Sequence, residues 1–471
     1  MKTFKRKTFY TAVLAAIGAI GAVGTASAVN VNPDGLGQVL IYPYYTVRTS
    51  GTTAATGQQN TYLSVTNTTT QAKAVKVRFL EGKNSREVLD FNLFLSAGDV
   101  WTGAVVPVSA TDAAQGAKII TSDKSCTFGT VTAAGIPFSN VGYVGDTGGD
   151  TLDRTNEGYV ELLEMGVITN TTLLTAINHV SGVAPCTASA LIAADTAGLS
   201  SAYLTTATGG LFGGASLINP ATGVDYSYDA VAIDGWDATV GGRGSASTSF
   251  LPNITTGSIL TSNVFVNGAV RTATWPVARD AVSASIMRDN VMNEFVLDTT
   301  TNSNTDWVVT FPTKRFYVGD TVAANRRPFT NTFSAGVSCD VVSLTATALG
   351  GVGVFSREEQ FSSAPGGFSP VTPTSNSLCF EANVITFNTP TTGTSTIFGS
   401  KNVSNITTSF TNGWMKLGFT QPTMVLVSTD ATPQTYSGLP VIGFMGQSFV
   451  NSLISSFGGT FEHKYTRNIL P

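Results

Sequence analysis

The sequence predicts a mainly β protein, an antiparallel β-sandwich of immunoglobulin-like or jelly-roll-like type with long Gly/Thr/Ser loops and one or two short helices. Composition is the first reason: 12% of the residues are charged, 42% are hydrophobic and 48 are glycine, a balance that suits sheets joined by polar loops. The second is a period-two alternation of apolar and polar residues, which is typical of strands. The third is the short polar turns between these runs, as consecutive strands of a sandwich require.

The clearest strand pattern lies between residues 36 and 106. The aromatic segment Gln38–Val47 contains Pro43 and is expected to be extended. Three further runs alternate between apolar and polar residues, with Phe94 as the one exception: 63–66, 75–79 and 89–95. A period of two places one set of side chains inward and the other outward, as in a sheet with one packed face.

The length of the chain fits two or more domains or one large one. The preferred division is an N-terminal β-sandwich domain at 29–240 and a C-terminal β-rich domain at 250–471. Gly241–Ser245 is the best candidate for the linker between them, because glycine and serine make flexible connections.

Two short helices are candidates. One lies near Ala188–Ala194 and the other between Val277 and Asn293. The second is favoured because Pro276 precedes it and Val282, Ile286 and Met287 recur at helical spacing.

Residues 1–28 have the three parts of a secretory signal peptide. The first residues carry four basic side chains, a short apolar run extends from Ala12 to Val23, and Ala26-Ser27-Ala28 offers a small-residue cleavage site. The alternative, a membrane anchor, is disfavoured because about a dozen residues are too short to span the roughly 30 Å of hydrocarbon. We therefore expect export by the general secretory route to an extracellular or cell-surface location.

Charge argues against two classes of partner. The chain has 26 basic and 30 acidic residues, and removal of the four leader cations would leave 22 basic residues. An acidic mature chain disfavours nucleic acid and anionic membranes, both of which attract basic surfaces. After the leader, no apolar run is long enough for a transmembrane helix.

The four cysteines, Cys126, Cys186, Cys339 and Cys379, predict two disulfides in an oxidising compartment. Three connectivities are possible, and sequence proximity favours Cys126–Cys186 and Cys339–Cys379. No pair has the C-x-x-C spacing of a metal or redox site.

No catalytic constellation is recognisable, so we do not expect an enzyme. The chain has two histidines, His179 and His463, and no G-x-S-x-G element that would present a nucleophilic serine. His463 lies between Glu462 and Lys464, which predicts a solvated or ion-paired residue near the C-terminus. No motif indicates an organic cofactor.

One segment has the spacing of a calcium-binding loop. In residues 153–164, oxygen-bearing side chains occupy several of the ligand positions and a glycine stands at position six. The predicted metal ligands are Asp153, Thr155, Glu157 and Glu164. The competing interpretation is a polar turn that enters a strand, because no amphipathic helix precedes the segment.

Three segments resemble a group of exported proteobacterial proteins labelled only as cell-surface proteins. They are GQVLIYPYYTVR, KAVKVRFLEGKNSREVLDFNLFLSAGDVWTG and TDWVVTFPTKRFYVGD, which lie in both halves of the chain. The resemblance implies a location and no activity, and it transfers no functional residue.

The leading hypothesis is a non-catalytic surface protein, structural or adhesive, whose partners are copies of itself or other cell-surface components. Self-assembly by strand addition is one version, with Gln38–Val47 as the donated strand. The alternatives are an outer-membrane β-barrel, which alternating strands would fit, and a secreted glycan-binding or glycan-active protein.

Overall fold

The structure is a computed structural model that describes residues 27–48, 58–145, 147–318, 327–329, 353–360, 368–369, 378–388, 393–419, 423–451 and 455–471. It confirms the predicted mainly β class, with 45% strand, 10% helix and three short helices. Residues 1–26 and Cys339 lie outside the described residues, so the leader and the Cys339–Cys379 bridge stay predictions.

The N-terminal half of the described chain contains strands β1 to β14 in chain order, with these bounds: β1 Asn30–Val31, β2 Val39–Thr46, β3 Asn60–Asn67, β4 Lys73–Glu81, β5 Glu87–Leu95, β6 Val100–Pro107, β7 Ala117–Ile120, β8 Cys126–Phe128, β9 Ile136–Pro137, β10 Glu157–Ile168, β11 Leu204–Thr205, β12 Leu211–Asn219, β13 Val224–Asp229 and β14 Val231–Asp234.

The C-terminal half contains β15 to β31: β15 Thr261–Val266, β16 Ala269–Thr274, β17 Met287–Arg288, β18 Asn290–Val296, β19 Asn304–Thr310, β20 Gly353–Ser356, β21 Phe368–Ser369, β22 Ala382–Phe387, β23 Val403–Ile406, β24 Asn412–Gly418, β25 Val425–Val427, β26 Thr435–Ser437, β27 Leu439–Pro440, β28 Ile442–Asn451, β29 Ser455–Glu462, β30 Lys464–Thr466 and β31 Asn468–Leu470.

Three large sheets organise these strands. The central sheet has the order β1-β14-β2-β10-β4-β5-β8, with β11 also paired to β10. The outer sheet has the order β13-β12-β3-β6-β7-β9, and the C-terminal sheet has the order β21-β23-β22-β19-β28-β29. Among the described strands pairing is antiparallel except between β22 and β23, and an isolated parallel bridge joins Val29 to Ser262. A four-stranded sheet, β20-β24-β18-β30, and several smaller pairs complete the described strands.

The central and outer sheets pack face to face through one apolar cluster. Val77 and Phe79 of β4 and Leu162 of β10 lie in it with Leu63 and Trp101 of the outer sheet. Leu63, Val77 and Phe79 are inward positions of the alternating runs, so the period-two pattern identified one face of β3 and of β4 correctly.

The opposite face of the central sheet departs from the expectation that polar positions point to water. Lys76 and Arg78 alternate with the apolar residues of β4 but are 0% and 3% exposed. Every residue of β10 is also buried. The central sheet is therefore covered on both faces, although an antiparallel sheet with alternating residues usually has one solvated face.

Ion pairs make this burial tolerable, since a buried charge is costly unless it is matched. Arg78 lies 2.6 Å from Glu87 and 2.6 Å from Glu161. Lys73 lies 2.6 Å from Glu164, and Lys76 pairs with Asp90.

The glycine-rich segment that was expected to be a linker packs against this charged face. The Nζ of Lys76 donates to the carbonyl oxygens of Ala246 and Ser247, each at 3.2 Å. Arg243 pairs with Asp237 at 2.8 Å, and its backbone N–H donates to Met165. Gly244 approaches the chain so closely that a Cβ there would lie 1.8 Å from the Leu199 carbonyl oxygen. Glycine therefore serves close packing at this point rather than flexibility.

The predicted halves 29–240 and 250–471 share their cores. One cluster joins Ile41, Tyr159 and Trp236 to Trp307 and many other residues of the second half. The cluster between the central and outer sheets also receives Phe398 from the second half. The described part of the C-terminal sheet therefore packs directly on the strands of the first half, and the division into two domains stays a prediction.

The segment Gln38–Val47 is not available as a donated strand. Its strand β2 is entirely buried and lies between β14 and β10, with hydrogen-bonded partners on both sides. Pro43 is accommodated because the pairing of β2 with β10 shifts register between Gly158 and Val160, at a bulge. Donation of β2 to another copy would dismantle the central sheet.

The helices are α1 Thr171–Ile177, α2 Ala188–Thr196 and α3 Ala278–Ser285. The prediction of a helix near Ala188 is confirmed. Helix α1 was not predicted from the sequence. It begins after Asn170, whose side chain caps the helix by accepting a hydrogen bond from the Leu173 N–H at 3.0 Å. The helix expected over Val277–Asn293 ends at Ser285. The later residues form β17 and β18, where tertiary pairing with β27 and β24 replaces the helix.

The predicted bridge between Cys126 and Cys186 is present. It ties β8 at the edge of the central sheet to the loop before α2, beside the small apolar cluster that holds α1 and α2.

We expect Arg78→Met to lower the free energy of unfolding by about 3–5 kcal/mol, because Glu87 and Glu161 would be left buried without their cation. Chemical denaturation measures the change. Adding Glu161→Gln should recover part of the loss, because one of the unpaired charges is then removed. Arg357→Met is the matched control, since Arg357 is 70% exposed beside Glu358 and should change little. Equal midpoints for Arg78→Met and Arg357→Met would contradict the assignment.

Replacing both Cys126 and Cys186 by alanine should destabilise the protein by about 4 kcal/mol in the chain-entropy account, because the bridge closes a loop with a sequence separation of 60. Thermal unfolding measures the shift. Peptide mapping without reduction should recover the linked pair, and free thiols at both positions would refute the bridge.

Candidate functional site

Three of the predicted calcium ligands lie at the entry to β10. Asp153 and Thr155 belong to a short 3₁₀ turn, Leu152–Asn156, and Glu157 begins the strand. Asp153 pairs with Arg48 at 2.7 Å and with Lys401 at 3.0 Å. Burial alone would raise the pKa of Asp153, but these two cations lower it below its usual value.

Glu157 has four protein partners. It accepts hydrogen bonds from Arg48 at 2.9 Å, from the Tyr44 hydroxyl at 2.8 Å, from the Lys401 N–H at 3.0 Å and from the Ser400 hydroxyl. The Thr155 hydroxyl donates to the Leu152 carbonyl and accepts from the Ala117 N–H. These groups tie β10 to β2 and to the second half of the chain.

Glu164 lies far from the other three. It stands seven residues further along β10, about 23 Å away at the rise of an extended strand. Its carboxylate accepts from Lys73 and from the N–H groups of Thr208 and Gly209, at 2.6, 3.0 and 2.7 Å. The segment is a turn followed by a strand, so the four residues are not gathered around one point. In the described ranges, no group of three or more His, Cys, Asp or Glu side chains is arranged to hold a metal.

His179 comes close to Ser96 and Asp99, a juxtaposition that the sequence did not reveal. Its Nδ1 lies 3.1 Å from the Ser96 hydroxyl and 3.7 Å from the Asp99 carboxylate. In a catalytic triad the carboxylate faces Nδ1 and the nucleophilic hydroxyl faces Nε2. Here both groups face Nδ1, so the contact joins the helical segment to the β5–β6 turn without presenting a nucleophile.

His463 is buried at 8% exposure, which corrects the expectation of a solvated or ion-paired residue. Its Nε2 lies 2.9 Å from the Val308 carbonyl, and its Nδ1 lies 3.2 Å from the Asn293 amide nitrogen. A carbonyl oxygen only accepts, so the ring carries its proton on Nε2. The neighbouring charges Glu462 and Lys464 mislead because alternation sends them to the opposite side of the chain.

The strongest candidate for a binding surface is the solvent-facing side of the outer sheet, which we call the outer face. It is formed by the outward residues of β6, β3, β12 and β13. Their inward neighbours fill the sandwich core, so alternation forces this second set toward water. The burial pattern of β12 shows the alternation without a break.

Strand register arranges the outer face in three rows. The first row is Ala104, Tyr62, Ser216 and Ser227; the second is Thr102, Ser64, Gly214 and Asp229; the third is Val100, Thr66 and Phe212. Tyr62 and Phe212 thus flank the middle row on either side. They are 42% and 45% exposed.

The middle of the outer face is a shallow depression of about 420 Å³. Gly214 forms its floor, since a Cβ there would lie 3.0 Å from the Tyr228 carbonyl and 3.5 Å from the Asp229 carboxylate. Ser216 and Ser227 lie opposite each other on the neighbouring strands β12 and β13 with their hydroxyls 2.6 Å apart, and Ser227 donates to Asp225 at 2.8 Å. The rim therefore has the hydroxyls of Ser216 and Ser227 held by hydrogen bonds, with the Asp229 carboxylate beside them.

Sequence reasoning found part of this surface. The alternation of Leu63 and Val65 with Ser64 and Thr66 predicts that the polar pair is exposed. It does not show that β12, about 150 residues later, lies beside β3, and this neighbour brings Phe212 and Gly214 to the site.

No family model, curated protein or solved structure matches this chain. Within the described residues, no helix combines the length and the apolar character needed to span a bilayer.

The environment of His463 predicts a specific pH dependence of stability. Burial lowers the pKa of His463 to about 4, whereas an unfolded chain has a histidine pKa of about 6.5. The free energy of unfolding therefore falls as the pH is lowered from 6.5 toward 4. The reason is that His463 takes up a proton in this pH range only when the chain is unfolded. The wild type should lose about 3 kcal/mol relative to His463→Gln over this range. Parallel pH profiles from denaturant unfolding would contradict the assignment.

Proposed function

We propose that this protein is a non-catalytic adhesive protein of the cell surface that binds its partner through the outer face. One observation carries the proposal: the outer face exposes the aromatic side chains of Tyr62 and Phe212 together with the Asp229 carboxylate. The shallow depression with Gly214 at its floor lies on the same face. Exposed aromatic residues with a few fixed polar groups are characteristic of recognition surfaces.

The fold supports this role because it makes the outer face rigid. The inward side chains of β3 and β12 lie in the core shared with the central sheet, and both strands have hydrogen-bonded neighbours on each side. A surface held in place from below loses little conformational entropy when a partner binds.

The proposed location has two supports. The Cys126–Cys186 bridge fits an oxidising compartment, and the segments that resemble exported cell-surface proteins suggest the same location. Immunogold electron microscopy of intact cells tests it directly: label on the cell exterior is expected, and label confined to the cytoplasm would refute it.

The adhesive role predicts that the full-length protein binds isolated cell envelopes saturably and that Tyr62→Ala with Phe212→Ala lowers this affinity at least about tenfold. The reason is that both large contacts of the outer face are then removed. Co-sedimentation over a concentration series measures the affinity.

Phe265→Ala is the matched control, because Phe265 is 68% exposed on the separate hairpin β15–β16. It should bind like the wild type. Circular dichroism and thermal midpoints confirm that all variants are folded. Equal affinity of the double variant and the wild type would refute the proposal.

A further inference from the structure

We infer that the ligand of the outer face is a neutral, linear oligosaccharide that lies across the middle row and stacks on Tyr62 and Phe212. This inference rests on the proposed function and names the class of ligand. It is carried by the spacing of the two aromatic side chains, by the open floor between them and by the charge of the face.

The aromatic side chains suit the apolar faces of sugar rings. An aromatic ring has a negative face, and the axial C–H groups of a pyranose are weakly positive donors that pack on such a face. Tyr62 and Phe212 each expose enough surface for one ring contact.

The spacing requires an extended ligand. Tyr62 stands opposite Ser216, and Phe212 lies four residues along the same strand from Ser216. Four residues of a strand cover about 14 Å. One sugar ring cannot contact both side chains, whereas a chain of several sugars can.

The floor and rim supply the polar contacts that hydroxyl-rich ligands need. Gly214, two residues along β12 from Phe212, leaves the depression beside Tyr62 open. The Asp229 carboxylate is exposed at the same row and makes no hydrogen bond or ion pair within the described part of the chain. An ionised carboxylate accepts on both oxygens, so it can receive two neighbouring sugar hydroxyls. Ser64 and Ser216 add hydroxyls on either side.

The charge of the face disfavours polyanions. Its three rows carry Asp229 and no lysine or arginine, and the row beside the first carries Asp225 on β13 and Lys118 on β7. Sulfated or phosphorylated chains would be repelled, since their recognition depends on basic groups. A peptide that binds by strand addition is also disfavoured, because β3 and β12 are interior strands whose backbones are already paired.

The test is a glycan array that displays neutral and sulfated linear oligosaccharides, probed with the full-length protein, followed by calorimetry on the best neutral hit. We expect neutral chains to bind, a hexasaccharide to bind more tightly than the disaccharide of the same sugar, and an approximately tenfold rise in ionic strength to change the affinity little. Binding confined to sulfated chains, or no binding to any neutral chain, would overturn the inference.

Variants locate the site. Tyr62→Ala and Phe212→Ala should each weaken hexasaccharide binding about tenfold. Asp229→Asn should weaken it while leaving the melting temperature unchanged, and Phe265→Ala should have no effect. If the first two variants bind the hexasaccharide like the wild type, the ligand lies elsewhere and the inference fails.

The two proposals fail in different ways. If envelope binding depends on Tyr62 and Phe212 but no neutral glycan binds, the saccharide assignment is wrong and the adhesive role stands. If envelope binding is independent of both residues, the adhesive role of the outer face itself is wrong.

Discussion

The buried carboxylates along β10 must each pair with a cation, and the rest of the structure depends on this constraint. Glu157, Glu161 and Glu164 are all buried in this strand. Burial raises the pKa of Glu161 and Glu164, against the opposing effect of the cations beside them. Each carboxylate therefore requires a matched partner, and Arg48, Arg78 and Lys73 provide one each. Lys73 and Arg78 belong to β4 and Arg48 follows the end of β2, so β10 can be buried only when its neighbours are correctly placed.

The same requirement explains how the two halves of the chain are joined. Glu157 accepts hydrogen bonds from Ser400 and Lys401 as well as from Arg48. On the charged face of the central sheet, the segment around Ala246 supplies carbonyl oxygens to Lys76 and excludes water. With both faces of the central sheet covered, the outer sheet keeps the open strand surface.

The candidate site shows where pattern reasoning succeeds and where it stops. Alternation in β3 correctly assigns Leu63 to the core and Ser64 to the surface. The calcium spacing of residues 153–164 reflects something else: Asp153 lies in the turn before β10 and the three glutamates lie in β10, and all four face protein cations. Oxygen-bearing side chains at suitable intervals do not distinguish a metal site from a set of ion pairs. Both need carboxylates, and they differ only in whether a metal ion or a basic side chain faces those carboxylates.

The sequence by itself determined the mainly β class, the inward residues of the regular strands and the favoured pairing of Cys126 with Cys186. Each depends on local periodicity or on short separation along the chain. Only the tertiary structure decided that Lys76 and Arg78 are buried, that Gly244 packs closely instead of linking domains, and that Tyr62 and Phe212 share one surface. These outcomes depend on which distant strands become neighbours. The pattern of apolar and polar residues along the chain does not show which strands become neighbours. The reason is that the same alternation fits a face exposed to solvent and a face whose charges are buried as ion pairs.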